Sequence, residues 1–293
     1  MLHPSSPFSQ LTLDGRERFA VGALGALVLA ALLVPIAAPA DPRAIGDVLA
    51  SRLLPPGATG ADGHFHLLGT DRFGRDLFAR MMLAGRLSLA VGVAGSVLAG
   101  AVGTLAGAWA GWRGGAADAA ITALADALLA VPRLVLLLVV AALWGPGTTT
   151  TVLVLVATGW MGVARLVRAE VRGARTAGWA ESAHALGASD ARVLWRHVLP
   201  NAVGPALVAT TLGVGNAILL ESGLSFLGLG IQPPAPSWGN MIAGGRDLVV
   251  TAPWVAIAPG LALVVTVLAC TLLGDALRDR LAGERPPAAL DRA

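Results

Sequence analysis

Apolar residues are gathered along this chain into long charge-free blocks. Ala20 to Pro39, Leu87 to Gly111, Ala202 to Leu220 and Thr251 to Gly274 contain no Asp, Glu or Arg. Each comes near or exceeds the roughly 20 residues that a helix needs to cross a hydrocarbon layer about 30 Å thick. Thr148 to Ala164 is shorter but also uncharged, and Leu134 to Trp144 becomes long enough only when extended back through Pro132 to about Ile121. The pattern predicts an all-α, polytopic membrane protein with six spans, the third of them carrying Asp126 toward the membrane. For that carboxylate the expected place is near the aqueous end of its span or against a neighbouring helix.

Composition agrees with a lipid solvent. Hydrophobic residues make up 55% of the 293, charged residues only 13%, and mean hydropathy is +0.71. That leaves too little polar material to coat a soluble globule. The chain contains no lysine, so its orientation is read from arginine alone. With six spans both termini share a side. Fourteen arginines fall there, including Arg16, Arg18, Arg133 and the cluster from Arg165 to Arg196, against seven on the other side. The positive-inside bias predicts cytoplasmic termini and a cytoplasmic loop over 165–200, although six arginines between Arg43 and Arg86 run against it. The opening resembles a signal peptide, with Ala38-Pro39-Ala40 as a small-residue site, but its apolar run is long and is read as an uncleaved anchor. Those cytoplasmic arginines account for the net charge of +3 without nucleic acid as a partner.

Several chemistries are excluded. A P-loop needs a lysine to reach the phosphates, and there is none. His64 and His66 form only a weak metal pair and are read as part of a solvated loop. Gly223-Leu-Ser225 lacks the second glycine of a nucleophile elbow, and Cys270 is a small packing residue with no disulfide partner. No catalytic residue, cofactor or metal is expected, and the residues disfavour an intramembrane hydrolase. Gly103, Gly107 and Gly111 recur at four-residue spacing, which fits a helix interface, between subunits or within the bundle, as well as the ordinary abundance of glycine in membrane helices.

The charged interruption over 165–200 has its own local code. Trp179 to Leu186 are mostly good helix formers, and Gly187 supplies a left-handed stop. Ser189 then has the character of an N-cap with Asp190 in the first turn. The second helix is expected to run to about Leu199, where Pro200 ends it and the fifth span follows. Trp179, Ala183 and Leu186 fall on one face, an apolar ridge that suits either a groove in a partner or the chain's own bundle.

Glu181, Ala183 and Gly187, followed by Leu199 and Pro200, resemble the EAA loop of binding-protein-dependent ABC importer permeases, with Ser182 where alanine is usual. The resemblance implies that Trp179, Ala180, Glu181, Ser182, Ala183, Leu186 and Gly187 form the coupling helix and turn that dock on an ATPase subunit. Residues 66–92 (HLLGTDRFGRDLFARMMLAGRLSLAVG) and 225–246 (SFLGLGIQPPAPSWGNMIAGGR) are similar to segments of the second permease of dipeptide, oligopeptide and nickel importers. The implied organisation is a tail, first span and loop over 1–65, a permease core over 66–280 and a cytoplasmic tail over 281–293. The implied partners are a second, homologous permease, two cytoplasmic ATPases that hydrolyse ATP, an extracytoplasmic solute-binding protein and the lipid of the inner membrane. Peptides are the favoured substrate, with nickel or another small solute as the alternative. A self-sufficient secondary transporter is the competing class, disfavoured because the spans offer almost no charge besides Asp126.

Within those two stretches the residues suggest further structure. Thr70 can cap a surface helix that places Phe73, Leu77 and Met81 on one face. Pro233, Pro234 and Pro236 forbid a continuous helix and predict an external turn or re-entrant loop, with Trp238 at the membrane interface.

Overall fold

The computed structural model describes residues 13–282, apart from 39–40, 46–47 and 61–62. Five helices among the described residues are long and apolar enough to cross a membrane, and a bent pair makes a sixth when it is counted as one broken span. They are α1 (Gly15–Ala37), α3 (Leu77–Arg113), the pair α4 (Gly115–Ala130) and α5 (Arg133–Trp144), α6 (Thr148–Arg175), α9 (Leu199–Phe226) and α11 (Trp254–Ala282). The all-α fold is as the sequence predicts. The third span differs, because it bends by 92° between Ala130 and Arg133. Pro132 lies in that break, where the proline ring disfavours helical geometry in the residue before it. The small-residue site at 39–40, the N-terminal tail through residue 12 and the tail beyond Ala282 lie outside the described residues.

α3 is the spine of the bundle, lying against α1, α6 and α9, while α11 packs on α1 and α9. The stripe of Gly103, Gly107 and Gly111 faces α6 within this same chain. A Cβ at Gly103 would stand 2.8 Å from the Val163 Cβ, one at Gly107 3.0 Å from the Arg168 nitrogen, and one at Gly111 2.8 Å from the Arg168 oxygen. Only hydrogen at these positions lets the two backbones approach so closely. Asp126 pairs with Arg165 of α6, and Asp118 with Arg168, so both carboxylates of α4 meet a neighbouring helix.

α1 shows how a proline inside a span is accommodated. Pro35 has no N–H to give to the carbonyl of Ala31, one turn earlier. Arg86 on α3 supplies the missing donor, its Nε lying 2.6 Å from the Ala31 oxygen and a terminal nitrogen 2.6 Å from that of Leu32. At the other end of α1, Glu17 pairs with Arg280 of α11 at 2.6 Å, which sets the start of the first span beside the end of the last.

Between α1 and α3 lie the short helix α2 (Val48–Ser51) and a two-residue hairpin of β1 (Ala58–Thr59) and β2 (Phe65–His66). Here the expected Thr70-capped helix does not form. Thr70 instead ties its loop to α2, donating to the Ser51 carbonyl at 2.6 Å and accepting from the Leu54 amide. Asp71 holds the turn through Phe73, Arg75 and the buried Arg80, and Asp76 caps α3 through the Ala79 amide at 2.7 Å. Gly69 and Gly74, both at positive φ, set the corners that interrupt a helix there. His66 is buried rather than solvated, with Nδ1 2.8 Å from Asp76. No group of metal-ligating residues is found among the described residues.

Candidate functional site

The interruption between the fourth and fifth spans folds as helix, glycine turn, helix. α7 (Gly178–Ala185) ends at Gly187, whose φ is +85°. The Gly187 amide bonds the His184 carbonyl at 2.9 Å and the Ala188 amide the Ala183 carbonyl at 3.0 Å, the paired closure that a left-handed glycine permits. α8 (Asp190–Val193) follows, with the Ser189 hydroxyl accepting from the Arg192 amide. Pro200 does not end this second helix. The chain passes from α8 through one wider turn, Leu194–Val198, directly into α9. The wide turn shifts the carbonyls that would otherwise meet the proline ring, and Pro200 sits in the first turn of α9, where a missing donor costs little.

The residues expected to form a docking helix divide into two faces. Ala180 is fully buried and, with Ala183 beside it, packs into an apolar cluster of Trp112, Val167, Val171, Val193 and Leu194. His184 stacks on Trp112 with ring centres 6.1 Å apart. Trp179, Glu181, Ser182, Leu186 and Gly187 face away from the bundle, with Trp179 44% and Leu186 89% exposed. The apolar ridge is therefore split, because Ala183 belongs to the seated face. What remains outside is a tryptophan and a leucine flanking Glu181.

At the opposite end of α9 lies a polar centre that the sequence reading missed. Glu221 is fully buried. Ser225 Oγ donates to its carboxylate at 2.7 Å and Ser222 Oγ at 3.3 Å, and the buried Ser88 and Ser237 lie beside it. These hydroxyls hold the segment after α9 in turn. Ser225 Oγ accepts from the Ile231 amide at 3.0 Å, Ser88 Oγ from the Trp238 amide at 3.3 Å, and Ser237 caps α10 (Trp238–Gly245). The prolines interrupt the helix as expected, but Trp238 does not sit at the membrane interface. It is completely buried, with its indole N–H on the Met81 carbonyl at 3.1 Å. Glu221 escaped notice because the charge-free block stopped at Leu220, one residue short, although the apolar sequence resumes through Leu224 and Phe226.

Arg133 is a second intramembrane charge. It is no loop residue of one face but stands at the break of the third span, its Nε 3.2 Å from Thr158 Oγ1. Thr158 lies ten residues into α6, about 15 Å from its start at 1.5 Å per residue, a distance equal to half the thickness of a hydrocarbon layer of about 30 Å. Its signal was visible as one arginine inside an apolar stretch from Ile121 to Trp144. The spans therefore hold more charge than the sequence reading allowed.

Residues 103–283, a stretch covering α4 to α11, match the family model of the binding-protein-dependent transport system inner membrane component. The chain belongs to this family. A putative peptide permease protein of Brucella suis is 41% identical over 263 residues, covering 89% of this chain and 84% of that one. A putative peptide transport system permease protein of the same organism is 38% identical, with 91% and 88% covered. The di/tripeptide transport system permease protein of Pseudomonas aeruginosa is 40% identical, with 89% and 87% covered. As an inner membrane component of an ABC importer, the chain is a multi-pass transport subunit rather than an enzyme.

Proposed function

We propose that this permease moves short peptides inward, paired with a second homologous permease, driven by two cytoplasmic ATPases and supplied by an extracytoplasmic binding protein. The naming of its relatives as peptide permeases favours that substrate over nickel. Both termini and the α7 hairpin lie on the cytoplasmic side in this reading, in keeping with the arginines clustered from Arg165 to Arg196 and with the contact of Glu17 to Arg280.

The observation that carries the coupling role is the division of α7 into a seated and an open face. Ala180 and His184 anchor the helix to the ends of α3 and α6, whereas Trp179, Glu181 and Leu186 are free to enter a groove of an ATPase. ATP-driven closure would push on this helix, and its apolar seat passes a rigid displacement to the spans that line the pathway. The test is co-purification of the assembled importer carrying Trp179→Glu and Leu186→Glu. The expected result is loss of the ATPase subunits with the second permease retained and peptide uptake abolished. Retention of the ATPases with normal uptake would overturn the reading.

A further inference from the structure

Arg133 faces a half-open cavity of about 360 Å³ lined by α3, α6 and α9. The volume is in the range of small-ligand sites. Ser96, Gly159, Thr210 and Asn216 share the lining. A guanidinium carries five N–H donors and a charge that never dissociates at ordinary pH. Only Nε has a hydrogen-bond partner among the described residues, and no carboxylate there lies within ion-pair distance. Asn216 stands ten residues before the end of α9, about 15 Å from that end. Its amide also makes no hydrogen bond among the described residues.

An arginine held within a span without a counter-ion is costly, and such residues mark pathways for charged cargo. We propose that Arg133 receives a carboxylate of the translocating peptide, with Asn216 bonding the adjacent peptide group. This rests on the peptide-importer reading. The room around Arg133 favours a ligand over a fixed acid from the second permease, because pairing with a side chain needs no void. Gly159 keeps that room open, since a Cβ there would lie 3.4 Å from an Arg133 terminal nitrogen and 2.9 Å from the Ala99 Cβ. The planar fork of the guanidinium matches a carboxylate through two parallel hydrogen bonds, which gives the site a preference for anionic cargo.

The experiment compares uptake of trialanine, its C-terminal amide and the amide of alanyl-glutamyl-alanine by the assembled importer, with Arg133→Gln and Arg133→Lys beside the unaltered chain. The binding protein is the same throughout, so its own selectivity cancels between variants. Arg133→Gln should lower trialanine uptake about tenfold, the scale of a charge-assisted hydrogen bond, and leave the trialanine amide unchanged. Arg133→Lys should restore most of the loss. Loss on the glutamyl amide as well would show that a side-chain carboxylate serves equally, within the same proposal. Equal uptake of acid and amide by Arg133→Gln and the unaltered chain overturns it. So does a parallel fall on all three peptides, or disappearance of the second permease from the purified complex, either of which makes Arg133 a structural or interface residue. If the unaltered importer moves none of the peptides, the substrate reading fails instead.

Discussion

Two short helices flank α9, and they are held in opposite ways. α7, before it, is seated by one apolar face on Ala180 and by the stacking of His184 on Trp112, and its other face is open. α10, after it, is locked by directional bonds: a capping box at Ser237 and Asn240, the Trp238 indole on Met81, and the serine hydroxyls around Glu221. Apolar contact is non-directional and tolerates small shifts, whereas a buried polar network has a single satisfied geometry. The difference teaches where movement is permitted. The α7 end suits a helix that is pushed, and the α10 end suits a fixed rim for the pathway.

The contrast breaks most visibly at Glu221. Glu221→Ala leaves the buried hydroxyls of Ser222 and Ser225 without their common acceptor and should cost about 3 kcal/mol in unfolding of the purified subunit. A loss below about 1 kcal/mol would mean that the serines satisfy one another and that the carboxylate is not what locks the rim. Next comes Gly239→Ala. Its new Cβ would press into the carbonyl of Ser222, so a cost of about 2 kcal/mol is expected from overpacking, read as a lowered melting temperature. An unchanged melting temperature would show that α10 can slide, contrary to the comparison.

The smallest effect on stability is expected at the α7 end. A Cβ at Gly187 meets nothing within 4 Å, so Gly187→Val carries only the strain of a left-handed backbone, about 1–2 kcal/mol, and confined to the turn. Its consequence should be functional: the assembled importer keeps hydrolysing ATP while peptide uptake falls. Transport at the unaltered rate per ATP consumed would remove the turn from the coupling path.

Legibility in the sequence follows the range of each interaction. The Gly187 turn and the Ser189 cap were readable because such features depend on a few adjacent residues and on φ. Pro200 and Trp238 were misjudged because the outcome depended on distant partners, a widened turn in one case and the Met81 carbonyl in the other. The family resemblance on Glu181, Ala183 and Gly187 was sound, but the division of α7 into seated and open faces was not visible. It depends on Val167 and Val171 of α6 meeting Ala180 from another span.

By itself the sequence determined that this protein lives in lipid and where its five unbroken spans lie, because a backbone in hydrocarbon must satisfy its own hydrogen bonds and apolar length decides where a helix can cross. It also determined the glycine stripe on α3, since hydrogen side chains at four-residue spacing form one face whatever lies opposite. Only the tertiary structure decided which helix that stripe meets, that Glu221 and Trp238 are sealed inside, and that Arg133 opens on a cavity. Those outcomes are set by what a neighbouring span brings within about 3 Å, the reach of a hydrogen bond, and one chain's order of residues carries no such distance.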